Sequence, residues 1–143
     1  MRETNVDVAL RAWAALAMGH RSGDFSDYVA MLSDDYSFSI PVGPFRGNNI
    51  GKERAQVFFD AVAAAKPNLT YREPLRICAS EKTVVLEFDD DGDLGGVPYQ
   101  NRIAASFDIE DGLISAYREY FGDVDIDSIN RMAAAAAVSA KSR

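Results

Sequence analysis

The sequence predicts an α+β cone, a curved antiparallel sheet wrapped around helices with an apolar pocket inside. Two observations predict it. Helical periodicity is gathered mainly into the first half and strand alternation into the second, so long helices and strands are segregated rather than alternating. Residues 99–122, YQNRIAASFDIEDGLISAYREYFG, read as two long strands joined by the turn Glu110-Asp111-Gly112.

The first helix follows from Val6, Leu10, Trp13, Ala17 and His20, spaced by fours and threes along one stripe. Gly23 breaks it, and Asp24 can cap a second helix with Phe25, Tyr28, Val29 and Leu32 inward. Ser33-Asp34-Asp35 is expected to end this helical pair. Tyr36-Ser37-Phe38-Ser39-Ile40 alternates strictly and predicts a strand with Tyr36, Phe38 and Ile40 on one side. Pro41-Val42-Gly43-Pro44 is a turn, Phe45-Arg46-Gly47 a short extended piece, and Asn48 or Asn49 the cap of a third helix over residues 51–65. Val57, Phe58, Ala61 and Val62 are its inward side, and Pro67-Asn68 stops it. Residues 69–79 and 83–88 predict strands. The acidic run Asp89-Asp90-Asp91-Gly92-Asp93 with Gly95-Gly96 predicts a solvated hairpin turn. Ile126, Ile129 and Met132 before five alanines predict a helix over residues 126–140 with little bulk to dock. The division is therefore a domain over residues 1–123 and an alanine-rich helical tail over 124–143.

With 143 residues, 48% of them apolar, the chain is long enough for one domain and one core. Its formal charge of −7 argues against nucleic acid, which needs basic patches, and against anionic membranes. No apolar run approaches the roughly 20 residues that span a bilayer. The opening residues carry no signal-peptide pattern, so cytoplasmic residence is the expectation. A single cysteine, Cys78, allows no internal disulfide or cysteine cluster and reads as buried packing. Glu87-x-Asp89-x-Asp91-Gly92 resembles the start of a calcium loop, but the twelfth position is Pro98 where a bidentate glutamate belongs. No histidine cluster or glycine-rich phosphate loop is present, so neither metal nor cofactor is expected.

The turn Pro-Val-Gly-Pro-Phe-Arg-Gly before a helix, and the later Tyr-x-Asn-Arg, Phe, Asp-Gly-x-Ile and Arg-Glu-Tyr-Phe, resemble the SnoaL-like, ketosteroid-isomerase-related branch of the nuclear transport factor 2-like superfamily. The similarity covers residues 5–122. It implies a cystatin-like α+β cone around three helices, and a homodimer through the outer sheet face. The superfamily contains isomerases, cyclases, dehydratases, epoxide hydrolases and binding modules, so fold does not settle function. Steroid isomerases place one acid where this chain has Ile40 and another where it has Ala105. Their helix-one tyrosine falls near Trp13 or Leu16. Limonene-epoxide hydrolases carry an aromatic-Arg-Asp-Tyr-Phe segment matched by Tyr117-Arg118-Glu119-Tyr120-Phe121. For their Arg-x-Asp the nearest candidates are Glu87 and Asp89, and of their Tyr-x-Asn only Tyr36 remains, with Phe38 in the second place.

Glu119 alternates onto one face with Tyr117 and Phe121, which the resemblance turns into the cavity. A carboxyl buried there has a raised pKa and suits general acid/base work. The structural alternative is a salt bridge to Arg102 or Arg118. Asn101, in register with Ile103 and Ala105, could orient a water or polarise a carbonyl, or merely close the end of the sheet. His20, the only histidine, could move a proton or simply favour the helix dipole. The parity of Glu87 puts it opposite Leu86 and Phe88, toward the outer face. Trp13, Tyr36, Phe38, Ile40, Phe58, Tyr71, Ile103, Tyr117 and Phe121 are expected to line the pocket, with plain core as the alternative for the aromatic residues. The expected function is acid/base catalysis, as isomerase, cyclase, lyase or hydrolase, on a small hydrophobic, cyclic molecule, with Glu119 as acid/base and Asn101, His20 and Tyr36 assisting. The alternatives are epoxide opening and a non-catalytic, dimeric ligand-binding module.

Overall fold

The computed structural model describes residues 3–65, 68–94, 96–125, 127 and 130. Three helices, α1 (Asn5–Ser22), α2 (Ser26–Val29) and α3 (Lys52–Ala64), pack on a curled, unclosed sheet. Its strands are β1 (Leu32–Ile40), β2 (Gly47–Ile50), β3 (Asn68–Tyr71), β4 (Arg76–Ala79), β5 (Thr83–Leu94), β6 (Val97–Glu110) and β7 (Leu113–Phe121). They lie in the order β2-β1-β7-β6-β5-β3, with β4 also on β5. The pairings are antiparallel except one: β1 runs parallel to β7, with Phe38 opposite Tyr117. The α+β cone is thus as expected. Among the described residues no helix is long and apolar enough to cross a membrane.

α1 starts at a reciprocal cap. Thr4 Oγ1 accepts from the Asp7 amide and Asp7 Oδ2 accepts from the Thr4 amide, both at 3.1 Å, satisfying two amides that the first turn leaves unbonded. Its most buried line is Val8, Ala9, Ala12, Leu16 and Gly19, beside the expected stripe, because the small residues let the helix approach the sheet. Val6, Leu10 and Trp13 pack on the flanks. Asp24 does serve the second helix, accepting from the Ser26 amide at 2.9 Å. That helix is only one turn long, however, and Leu32, Ser33, Asp34 and Asp35 open β1 instead of ending a helix. A register shift against β7 between Leu32 and Ser37 absorbs this stretch.

Asn49 does not cap α3; it lies in β2 and is buried. Its Nδ2 donates to the carbonyls of Phe45 (2.8 Å) and Gly47 (3.2 Å), while its Oδ1 accepts from Arg54 Nε at 3.1 Å. The amide thereby pins the 41–47 loop to the helix behind it, and the Arg54 guanidinium lies 4.2 Å from the centre of the Phe45 ring. On α3 the buried positions are Ala55, Phe59 and Ala61. Val57, expected inward, is 54% exposed. The single strand expected over 69–79 is two, β3 and β4, separated at residues 72–75, where Pro74 cannot donate to a ladder.

The largest departure is the acidic run. It is not a turn: β5 continues through Asp89, Asp90, Asp91 and Asp93 to Leu94. Alternation explains how a strand tolerates it. Asp89 and Asp91 point outward to Arg102 (2.8 Å) and Arg72 (2.7 Å), and Asp90 points inward. The same outer face carries Arg118 on Asp108 at 2.7 Å, and Arg76 paired with Glu87. Glu87 is therefore on the outer face, as its parity indicates. Cys78, expected buried, is exposed on β4. The helix expected over 126–140 falls outside the described residues apart from 127 and 130, as does Pro67.

Candidate active site

The cone holds a half-open cavity of about 220 Å3. Its walls come from two helices and five strands: Leu16 and His20 of α1, Tyr36, Phe38 and Ile40 of β1, and Phe58, Phe59, Ala61 and Val62 of α3. Leu69 and Tyr71 of β3, Asp90 of β5, Tyr99 and Ile103 of β6, and Tyr117, Glu119 and Phe121 of β7 complete them, with Pro41 to Phe45 along one rim. Two places are taken otherwise than expected. Trp13 is absent from the lining; its ring packs behind Tyr71 and Phe88, at centroid distances of 6.0 and 5.8 Å. Asn101 is also absent from it, 2% exposed beneath the cavity floor, with Nδ2 donating to the Tyr99 hydroxyl at 2.9 Å.

Glu119 reaches the lining because β7 alternates: Arg118 and Tyr120 face out, Tyr117, Glu119 and Phe121 face in. The salt bridges offered as its alternative are made elsewhere, Arg118 to Asp108 and Arg102 to Asp89. The carboxyl instead accepts from the Tyr117 hydroxyl at 3.1 Å. Burial raises its pKa to about 7, against the lowering effect of that hydrogen bond. Ala105, where the steroid-isomerase pattern would have an acid, sits directly opposite Glu119 on β6.

Asp90 is the residue that the sequence reading misses. It is 1% exposed and Oδ1 has no hydrogen-bond partner. Burial, and then the nearby Glu119 carboxyl, push its pKa up to about 8. Its position is fixed by the ladder, with Tyr71 opposite on β3 and Asn101 opposite on β6. The available signal was the spacing of arginines: Arg72 and Arg102 can each take one outward aspartate of a strand, which turns the one between them inward.

The remaining polar groups are phenols and an imidazole. Tyr36 shares a 2.9 Å hydrogen bond with the Tyr28 hydroxyl, and burial holds both well above the ordinary tyrosine range. Tyr71, Tyr99 and Tyr117 are raised by burial as well. His20 is pushed down to about 4 by burial, so it is a neutral imidazole at pH 7. Its ring stands 5.3 Å from Tyr71 and 5.2 Å from Phe25. Among the described residues no lysine or arginine lines the cavity. Two carboxyls that titrate near neutrality, close enough to influence one another, can hold one proton between them and so present an acid and a base together. No group of three or more potential metal ligands occurs among the described residues.

A model of the SnoaL-like domain family matches residues 10–117. A search of curated proteins finds no match. Among solved structures, an NTF2-like protein from Anabaena variabilis is 36% identical, with a TM-score of 0.80 over 88% of this chain and 96% of that one. A protein with a cystatin-like fold from Xanthomonas campestris is 18% identical, with a TM-score of 0.70 over 87% and 95%. An LEH-like epoxide hydrolase from M. tuberculosis is 23% identical, with a TM-score of 0.62 over 92% and 95%. The last two likenesses concern the fold alone.

Proposed function

We infer, for a chain that belongs to the SnoaL-like domain family, that it is an acid/base enzyme acting on a small, mostly apolar ring compound in the cavity. Glu119 and Asp90 are the proton-transfer pair. The observation that carries this reading is that both carboxyls face one aromatic cavity and neither has a cationic partner there among the described residues. Burying such groups is expensive, and a fold that needed only stability would have placed apolar residues at both positions. At neutral pH one carboxyl of the pair keeps its proton and can hydrogen-bond to a substrate oxygen, while the other takes a proton from carbon or from water. The neutral His20, the Tyr28–Tyr36 pair and the rings around them exclude bulk water and set the shape. The cavity lies below the roughly 300–1,000 Å3 typical of sites for drug-sized ligands, which favours a substrate of about one ring.

Two reactions use this pair. In isomerisation, the base removes a proton beside a carbonyl and returns it at another carbon. In epoxide opening, the base takes a proton from water as its oxygen attacks, and the acid protonates the leaving oxygen to give a diol. The likeness to an epoxide hydrolase favours considering the second. Asp90, rather than Glu87 or Asp89, then takes the place of the aspartate of an Arg-x-Asp pair, but Phe88 replaces the arginine. The isomerase-type reading needs no such arginine and is preferred. Incubating cyclic ketones and epoxides in heavy water and in 18O water separates the two, since deuterium at carbon reports proton abstraction and 18O in a diol reports hydrolysis. Glu119→Gln and Asp90→Asn should each lower the turnover found by about 100- to 10,000-fold with the fold retained. Full turnover in either variant removes that residue from the mechanism.

A further inference from the structure

Four outer-face carboxylates of β5 and β6, those of Glu87, Asp89, Asp91 and Asp108, are each paired with an arginine. The inward-facing Asp90 of β5 and Glu119 of β7 are not. The chain has the means to neutralise a sheet carboxylate and withholds it at the cavity. The surrounding surface is aromatic, including Tyr36, Phe38, Phe58, Tyr71, Tyr117 and Phe121. The face of such rings is negative and attracts a cation, as Arg54 already does over Phe45 from outside the lining. An unmet hydrogen-bonding atom points the same way. Asp90 Oδ1 lines the cavity as a buried acceptor without a donor. An ammonium group offers three donors and one positive charge. A carboxylate ligand would meet two acids and no cation, whereas an ammonium ion supplies the positive charge that the ionised carboxyl of the pair lacks.

We propose that the cavity takes a small apolar amine, bound as its ammonium ion between Asp90 and Glu119 with its hydrocarbon part against the aromatic walls. The inference names the substrate class of the same site and rests on Asp90 and Glu119 facing the ligand, but not on their transferring a proton to it. The titratable groups around the pair are His20 from α1, Tyr28 from α2 behind Tyr36 from β1, Tyr71 from β3, Tyr99 from β6 and Tyr117 from β7. The phenols stay protonated and the imidazole neutral at pH 7, so binding changes the protonation of the two carboxyls only.

The test is calorimetric titration of the full chain at pH 7 with cyclohexylmethylamine, cyclohexylmethanol and cyclohexanecarboxylate, each in two buffers of different ionisation enthalpy. The amine should bind about tenfold or more tightly than the alcohol and release a proton to the buffer, and the carboxylate should bind weakest. Asp90→Asn and Glu119→Gln, checked for fold by near-UV circular dichroism, should each weaken the amine about tenfold or more and so reduce its advantage over the alcohol. Alcohol binding equal to or tighter than amine binding overturns the proposal, as does a preference for the carboxylate. Failure of amines from four to ten carbons to bind also overturns it. The catalytic reading fails separately, on undiminished turnover by the two variants, whichever ligand binds best.

Discussion

A carboxyl group held away from water and without a cation resists ionisation, and Asp90 is such a group. Its pKa in the folded chain, about 8, lies above the value near 3.9 of an unfolded aspartate. The folded state therefore binds this proton more tightly. Below about pH 4 the proton is on in both states and costs nothing; between 4 and 8 the unfolded state gains by ionising, and stability is lost as pH rises. Asp90→Asn removes the penalty. Its melting temperature should exceed that of the parent at pH 8, by a difference of up to about 5 kcal/mol in stability, and should converge with it near pH 4. A variant no more stable than the parent at pH 8 would contradict the buried, unpaired carboxyl. A gain in stability together with a loss of turnover is what a residue kept for chemistry gives. The sequence displayed Glu119 plainly, because Tyr117 and Phe121 flank it at the spacing of one strand face. Asp90 was concealed by its neighbours: three aspartates and a glycine have the composition of a turn, and only the partners Arg72 and Arg102, distant in sequence, make them a strand.

The elements show the same division between local and distant causes. α1 was legible because its apolar repeat is local. The exact line it buries was not, since that depends on how close a helix can come to a sheet. Gly19 shows how tight the approach becomes at the other end: a Cβ there would lie 2.1 Å from Phe25 Cδ1. Phe25 is buried, stacked on Phe59 at 4.7 Å, and so ties the α1–α2 junction to α3. Gly19→Ala would gain about 1 kcal/mol in helix propensity but must displace this ring, which costs about 1–3 kcal/mol. A net loss of up to about 2 kcal/mol, seen as a lower urea midpoint with unchanged slope, is expected. A higher midpoint would show that the ring moves freely. The split of residues 69–79 into two strands was written in Pro74. The extension of β5 was not local at all, because it required β3 and β6 to supply both of its neighbours.

At the scale of the whole molecule the sheet divides two environments, with Asp90 and Glu119 lacking cations inside and Glu87, Asp89, Asp91 and Asp108 paired with arginines outside. The outer face also carries Tyr120, which is 58% exposed. Homodimerisation through this face, implied by the resemblance, predicts that sedimentation equilibrium finds a dimer and that Tyr120→Glu shifts it to monomer. A monomeric parent at micromolar concentration would refute it. Cone, helix order and the β6–β7 hairpin could be read from periodicity and turn residues. The sheet order could not, because nothing near residue 38 announces that its neighbour is residue 117. That parallel pairing governs the order in which the molecule can be made. During synthesis β1 emerges early and finds β2, but its other edge stays open until the ribosome has passed Phe121. Glu119 arrives on that same final strand. The chamber thus receives its last wall and the second of its two acids together, and a nascent chain stalled short of β7 would expose an unpaired aromatic edge for chaperones to cover.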